Sequence, residues 1–182
     1  MVSPVMWQRS GSARLRWWLP MLSKRSRRHM PGFWLNGTMS STDVVSSSPE
    51  ETMAIGRQLA PRLRAPVLVL LSGDLGSGKT TIAKGIISGL GVAGEEEVTS
   101  PTFTLVHVFR NHVRVYHVDL YRIEGFHDLE SLALEDAFAE PAVVIIEWAE
   151  RFTLRTDWPQ VTIHLEHVEA DTRRITITLP KT

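Results

Sequence analysis

The hydrophobic residues of this chain fall into short apolar runs separated by polar loops, a pattern typical of α/β proteins. Residues 67–71 and 143–146 are continuously apolar, as expected for strands of a sheet that is covered on both faces. Alternating apolar residues at 161–165 and 175–179 predict two strands that pair antiparallel around residues 169–171. We therefore expect a mixed, mainly parallel sheet flanked by helices, with an antiparallel hairpin at the C-terminus.

Two helices are predicted outside the strands and the loop described below. Ser48 is a good N-cap, and Pro49 suits the first position of a helix. Glu51 completes a capping box, so a helix should begin here, and Pro61 should end it. Apolar residues at helical spacing predict the second helix over residues 129–138.

A glycine-rich loop, Gly-Asp-Leu-Gly-Ser-Gly-Lys-Thr at residues 73–80, lies between the first apolar strand and a helical pattern at 81–87. It matches the phosphate-binding pattern G-x-x-x-x-G-K-[ST] in full and predicts a P-loop NTPase-like fold. Such a loop points backbone N–H groups at phosphate oxygens, beside the positive end of a helix. Lys79 is expected to reach the β- and γ-phosphates, and Thr80 offers a hydroxyl to Mg²⁺. The predicted nucleotide-binding residues of the loop are Gly73, Gly76, Ser77, Gly78, Lys79, Thr80 and Thr81.

Hydrolysis also requires acidic groups near the metal and the attacking water, and two places in the sequence supply them. Glu147 follows the second apolar run, and an acid at the carboxyl end of a buried strand points into the crevice where nucleotides bind. His117 and Asp119 share one face of the second strand of a hairpin predicted over residues 102–109 and 113–120. The alternative for Glu147 is an acid that only ends a strand. The alternative for His117 and Asp119 is an exposed face of an edge strand.

Two features near these acids leave their roles open. In Ser-Pro-Thr-Phe at residues 100–103, Pro101 fixes the local geometry beside two hydroxyls, so the loop could sense a γ-phosphate. An ordinary turn that enters a strand fits the same composition. Trp148 follows Glu147 and could pack on a nucleotide, on a partner or in the core.

Composition and charge narrow the function classes. The chain has 182 residues and no cysteine, which excludes disulfides, thiolate catalysis and cysteine-ligated metal sites. The lack of cysteine suits a reducing cytoplasm, which is the expected location. The chain contains no run of 18 apolar residues, so we expect no membrane span. Residues 1–38 hold seven basic residues and no acid, which leaves 13 basic against 20 acidic residues in the remainder. That remainder should repel nucleic-acid phosphates, so strong direct tRNA binding is not expected.

Three interpretations compete for residues 1–38. A targeting segment is the first, but the segment lacks the apolar core of a secretory signal. A basic arm for RNA or anionic surfaces is the second. The third, which we prefer, is upstream sequence read from a wrong start codon, with Met39 as the true start. The expected organisation is a disordered or misassigned extension at 1–38 and a P-loop ATPase domain at 39–182.

Four motifs together resemble those of the bacterial TsaE (YjeE) family, which takes part in threonylcarbamoyladenosine modification of tRNA. The glycine loop, extended to Thr81, is shared with many nucleotide-binding families. The other three motifs are more specific in this order and spacing: residues 100–106, residues 116–122 (Tyr-His-Val-Asp-Leu-Tyr-Arg) and the pair Glu147-Trp148. The resemblance runs from about Ser48 to the C-terminus, and residues 1–38 have no counterpart in the family.

The resemblance implies a Mg²⁺-dependent ATPase, weak alone, that acts with TsaB and TsaD and meets tRNA only through that complex. It implies that Thr80 and Glu147 hold Mg²⁺ and that Asp119 is needed for hydrolysis. It makes Thr52 a candidate nucleotide contact and Thr102 part of a nucleotide-sensing loop. A small-molecule kinase and a nucleotide-gated binding module without hydrolysis remain alternatives. A GTPase is not expected, because the guanine-reading Asn-Lys-x-Asp motif is missing from the sequence.

Overall fold

The structure, a computed structural model, describes residues 22–24, 40–125, 128, 135–154 and 156–180. Its strands are β1 (Leu22–Lys24), β2 (Ser40–Ser46), β3 (Val67–Ser72), β4 (Val106–Arg110), β5 (Arg114–Asp119), β6 (Val143–Glu147), β7 (Phe152–Leu154), β8 (Gln160–Glu169) and β9 (Thr172–Leu179). Its α-helices are α1 (Pro49–Leu59), α2 (Lys79–Gly89) and α3 (Glu135–Phe138). Single 3₁₀ turns lie at Ala60–Arg62, Glu95–Glu97 and Ala149–Arg151.

Seven of the strands form one sheet in the order β2-β9-β8-β3-β6-β5-β4. The three central pairings, β8 with β3, β3 with β6 and β6 with β5, are parallel. The pairings on both flanks are antiparallel, and β8 with β9 is the predicted C-terminal hairpin. The predicted α/β fold with a parallel centre is therefore confirmed. The strands β1 and β7 pair separately from this sheet.

Two strand predictions differ from the structure. Strand β2 was not predicted, because most of its residues are polar and exposed and it carries no apolar alternation. It pairs with β9 at the sheet edge. The hairpin strand predicted to begin at Thr102 begins at Val106 instead. Residues 102–104 form a turn, which Leu105 closes with a positive φ of 65° and an N–H bond to the Pro101 carbonyl.

The predicted helices form where the structure describes them, but the capping box is wrong in one detail, because Glu51 Oε2 accepts from the N–H of Ser47 and not from that of Ser48. Helix α1 begins after Ser48, whose Oγ accepts a hydrogen bond from the N–H of Glu51 at 3.1 Å, and it passes into a 3₁₀ turn at Pro61. Of the helix predicted over 129–138, the described part is α3, and residues 129–134 lie outside the described residues. Apart from β1, residues 1–38 also lie outside the described residues, and the interpretations proposed for them stay predictions. Within the described residues, no helix has the length and apolar character needed to cross a membrane.

The sheet separates two hydrophobic cores, and this separation places the candidate acids. Alternate residues of β3, β6 and β8 pack on one side with α1 and α2, and the intervening residues of β3 and β6 pack on the opposite side. In β5, Val115 belongs to the core with α2, whereas Tyr116 and Val118 belong to the other core. His117 and Asp119 therefore share the face of Val115, on the side of the glycine loop and α2.

Helices α1 and α2 pack closely because α2 carries a glycine at the contact. A Cβ at Gly85 would lie 2.1 Å from the carbonyl oxygen of Met53 in α1. We expect Gly85→Ala to lower the free energy of unfolding by about 1–3 kcal/mol, since overpacking against backbone atoms forces the helices apart. The gain in helix propensity, about 1 kcal/mol, would offset only part of this cost. Urea unfolding monitored by circular dichroism measures the difference.

Lys84→Ala is the control for this substitution, because Lys84 lies next to Gly85 in α2 and is partly exposed. It should leave the free energy of unfolding nearly unchanged. If Gly85→Ala were as stable as Lys84→Ala, the close packing of α1 on α2 would be contradicted.

Candidate nucleotide site

The glycine loop joins β3 to α2 through backbone conformations that favour glycine. Gly73, Gly76 and Gly78 have φ angles of 133°, 76° and 103°. At Gly73 space is also restricted, because a Cβ would lie 2.2 Å from the carbonyl oxygen of Leu165. Gly78 is the N-cap of α2, so Lys79 begins the helix and the free N–H groups of its first turn face the loop.

Lys79 is buried, with 5% of its surface exposed, and its ammonium is held within the loop. Its Nζ donates hydrogen bonds to the carbonyl oxygens of Gly73 at 2.8 Å and Asp74 at 2.7 Å. The ring of Trp148 covers it, with 3.7 Å between Nζ and the ring centroid. Burial lowers the pKa of Lys79, and the nearby carboxylates, Glu147 foremost, oppose that shift. The loop therefore holds the Lys79 ammonium in a position where water solvates it only partly.

Glu147 is at the centre of a buried polar cluster at the carboxyl ends of the parallel strands. Its two carboxylate oxygens each lie 2.9 Å from Thr80 Oγ1, so that hydroxyl proton is shared between them. Its Oε1 also lies 2.8 Å from His117 Nε2. The parallel register explains why these side chains lie close together, because Glu147 is aligned with Asp119 in β5 and with Leu71 near the end of β3.

Asp119, 2% exposed, binds the Ser-Pro-Thr turn to the end of β5. Its Oδ2 accepts hydrogen bonds from Ser100 Oγ at 2.9 Å and Thr102 Oγ1 at 2.6 Å. Its Oδ1 accepts one from the backbone N–H of Tyr121 at 2.8 Å. The conformation of the turn is thus coupled to this carboxylate.

These elements surround a pocket of about 270 Å³. It is lined by Leu75, Gly76, Gly78, Lys79, Thr80, Thr81, Ser100, Thr102, Asp119, Tyr121, Glu147 and Trp148. The volume is just below the usual range of about 300–1,000 Å³ for small-molecule sites, so it suits part of a ligand such as a phosphate chain. Among the predicted site residues, Gly73, Ser77 and Thr52 do not line it.

Two of these three residues support the loop from within the protein. Thr52 is 1% exposed, and its hydroxyl bonds to the carbonyl oxygen of Ser48 at 3.1 Å and to Ser46 Oγ at 2.8 Å. Its methyl group packs toward Gly78. The structure therefore does not bring the Thr52 side chain into the pocket. Ser77 is also 1% exposed, and its backbone N–H donates to the carbonyl oxygen of Asp74 at 3.2 Å.

Sequence reasoning missed several pocket residues. Ser100 and Tyr121 lie within the predicted motifs, but the motifs assign no role to these two side chains. His117 shares one face of its strand with Asp119 as predicted, whereas its hydrogen bond to Glu147 was not predicted. Trp148 lies over Lys79 because its backbone is left-handed, with φ of 60°, which is strained for a bulky residue. No pattern in the sequence indicates that angle.

The site contains oxygen donors that fit Mg²⁺. Thr80 Oγ1 and the Glu147 carboxylate are adjacent hard donors, and Mg²⁺ usually takes one or two carboxylates and completes its shell with phosphates and water. Across the part of the chain that the structure describes, no group of three or more His, Cys, Asp or Glu residues could hold a metal by itself. The donors present thus suit an ion that arrives with a phosphate ligand.

The sequence also matches known proteins over most of its length. The family described as "Threonylcarbamoyl adenosine biosynthesis protein TsaE" matches residues 46–175. The chain is 35% identical over 133 residues to the tRNA threonylcarbamoyladenosine biosynthesis protein TsaE of Treponema pallidum, covering 73% of this chain and 97% of that protein. It is 36% identical over 132 residues to the Bacillus subtilis protein of the same name, covering 72% and 81%. Its fold is similar to the crystal structure of Bacillus subtilis YdiB, with a TM-score of 0.57 and 32% identity over 79% of this chain and 88% of that one.

Proposed function

Because the chain belongs to the TsaE family of threonylcarbamoyl adenosine biosynthesis proteins, we propose that it is a Mg²⁺-dependent ATPase that supports this modification of tRNA. The observation that carries the proposal is the convergence of Lys79, the Thr80–Glu147 pair and Asp119 on one pocket at the carboxyl edge of a parallel sheet. A phosphate loop alone binds a nucleotide, whereas hydrolysis also needs a metal-binding acid and a group that orients water. Residues suited to all three parts line this pocket, which supports the proposal.

The loop binds the phosphates of ATP in this proposal. Backbone N–H groups of Gly76 and Gly78 and the start of α2 face the phosphate oxygens. The N–H of Ser77 joins them only if it gives up its hydrogen bond to the Asp74 carbonyl. Lys79 exchanges its bonds to the Gly73 and Asp74 carbonyls for bonds to the β- and γ-phosphates. That exchange is favourable because a charge-assisted bond to phosphate is stronger than a bond to a neutral carbonyl.

Thr80 and Glu147 would hold Mg²⁺, which when bound would neutralise charge that develops on the phosphates. Thr80 can keep donating its hydroxyl proton to Glu147, because its oxygen also has lone pairs to offer as a ligand. Asp119 orients the attacking water, for which its carboxylate must give up a bond to Ser100 or Thr102. The turn that carries these two hydroxyls would then change its position with the state of the nucleotide.

TsaB and TsaD are the proposed partners, with tRNA contacted through them and the cytoplasm as the location. The mouth of the pocket supports a partner, because Leu75 is 75% exposed and Phe103 is 85% exposed beside it. The acidic balance of the chain beyond residue 38 disfavours direct tRNA binding. A partner that covers this mouth would also exclude water from the site.

The test is ATP hydrolysis by the full chain, alone and with purified TsaB and TsaD. We expect slow hydrolysis alone and a rise of roughly tenfold or more with the pair, equivalent to about 1.4 kcal/mol of barrier. The pair without this chain is the control. A rate that the pair does not change would contradict the partnership and direct the search to phosphate acceptors of a kinase. Nucleotide binding without turnover under either condition would favour a binding module.

A further inference from the structure

His117 is a buried polar residue for which the proposed mechanism gives no role. It is 0% exposed, and its Nε2 lies 2.8 Å from Glu147 Oε1. Its Nδ1 is buried and has no hydrogen-bond partner among the described residues. An apolar side chain could fill the same space without leaving a ring nitrogen unpaired, so the buried histidine carries a cost in stability.

The direction of the hydrogen bond follows from the groups around Glu147. An ionised carboxylate can only accept hydrogen bonds, so both Thr80 Oγ1 and His117 Nε2 must donate to it. With the proton on Nε2, a neutral ring carries an acceptor at Nδ1, where the structure provides no donor. His117 and Thr80 therefore approach one buried carboxylate from two elements, β5 and α2.

We propose that His117 is a positioning residue that fixes the Glu147 carboxylate for Mg²⁺, an inference that rests on the proposed function. The histidine donates to Oε1 and not to Oε2. Oε2, which shares only the Thr80 hydroxyl proton, and Thr80 Oγ1 then keep lone pairs for the ion. Hydrogen bonds from such outer residues orient the ligating groups of metal sites, and their loss commonly weakens metal affinity by about 10- to 100-fold.

His117→Asn and His117→Gln form a matched pair of variants for the test. The amide nitrogen of glutamine reaches about as far as Nε2 of histidine, whereas that of asparagine reaches only about as far as Nδ1. Both side chains are uncharged and polar, so both carry a similar cost of burial. Only the glutamine can restore the donor to Glu147.

The measurement is ADP binding by the full chain in titrations of Mg²⁺, compared with ADP binding in EDTA. We expect His117→Asn to raise the half-saturating Mg²⁺ concentration by about 10- to 100-fold and His117→Gln to stay near the wild type. The affinity for ADP in EDTA should stay close to the wild type in both variants, because His117 does not line the pocket. A role in packing alone would not produce a defect that is specific to Mg²⁺.

Equal Mg²⁺ dependence in His117→Asn and the wild type would overturn the inference. So would equal defects in the asparagine and glutamine variants, since the donor would then be irrelevant. If His117→Asn does not fold, His117→Phe, which fills the ring volume without a donor, takes its place in the same comparison. A wild-type chain that binds ADP without any effect of Mg²⁺ would instead overturn the proposed function itself.

Discussion

Replacing Lys79 with alanine is expected to remove most ADP binding and to slow ATP hydrolysis on the order of 10²- to 10³-fold, the usual loss for one preorganised stabilising group. Lys79 presents a positive charge to the pocket from a buried position, where water screens it weakly. The backbone amides of the loop would remain, but they carry only partial charges. Calorimetry of ADP binding and a phosphate-release assay measure the two losses separately.

The same substitution should change stability much less than activity. Without a nucleotide, burial lowers the pKa of Lys79, so its ammonium is held in the loop at a cost in solvation. Alanine removes that cost together with the hydrogen bonds to Gly73 and Asp74. Lys84→Ala, in the same helix but outside the pocket, is the control and should retain binding and hydrolysis. Undiminished ADP binding by Lys79→Ala would show that the glycine loop is not the phosphate site.

The parts of the site that are contiguous in the chain could be predicted from the sequence. The glycine loop needs only a strand before it and a helix after it, so residues 67–87 contain all the information required. The N-cap at Ser48 is equally local and formed as predicted. Local geometry of this kind depends on backbone conformation and short-range hydrogen bonds, which the residue types themselves set.

The pairing of distant strands could not be predicted in the same way. His117 meets Glu147 because β5 lies parallel to β6 in one particular register, and no short pattern encodes that register. Asp119 likewise holds Ser100 and Thr102, which are 19 and 17 residues away in the chain. Residues 102–105 include β-favouring types, yet they form a turn because these hydrogen bonds to Asp119 outweigh intrinsic preference.

The pocket's aromatic wall depends on backbone strain, which sequence patterns do not reveal. The sequence left Trp148 with three possible environments. In the structure its left-handed backbone turns the ring onto Lys79, and Tyr121 packs against it with 5.0 Å between ring centroids. Strain of this kind persists where the surroundings hold it and often occurs at functional sites. A nucleotide that draws Lys79 toward its phosphates would weaken the contact with Trp148.

Glu147→Gln is expected to slow ATP hydrolysis on the order of 10²-fold or more while ADP binding in EDTA is retained. The amide keeps the shape of the carboxylate and an oxygen that can accept from His117 Nε2. The amide lacks the negative charge with which the carboxylate would bind Mg²⁺. The Mg²⁺ concentration that half-saturates ADP binding should therefore rise. Stability should not fall much, because the substitution removes a buried charge, 2% exposed. Steady-state phosphate release and the same Mg²⁺ titration of ADP binding measure these effects.

Glu140→Gln is the matched control, since it also replaces one carboxylate with an amide. Glu140 lies just before β6 at an exposed position, where it pairs with Arg114 at 3.0 Å. This variant should hydrolyse ATP like the wild type.

Adding His117→Asn to Glu147→Gln tests the coupling of the two side chains, because residues that act through one another give non-additive effects. If His117 acts only by orienting Glu147, the half-saturating Mg²⁺ concentration of the double variant should equal that of Glu147→Gln. Additive losses would mean that His117 acts on the site by another route, and normal hydrolysis by Glu147→Gln would exclude Glu147 as the metal-binding acid.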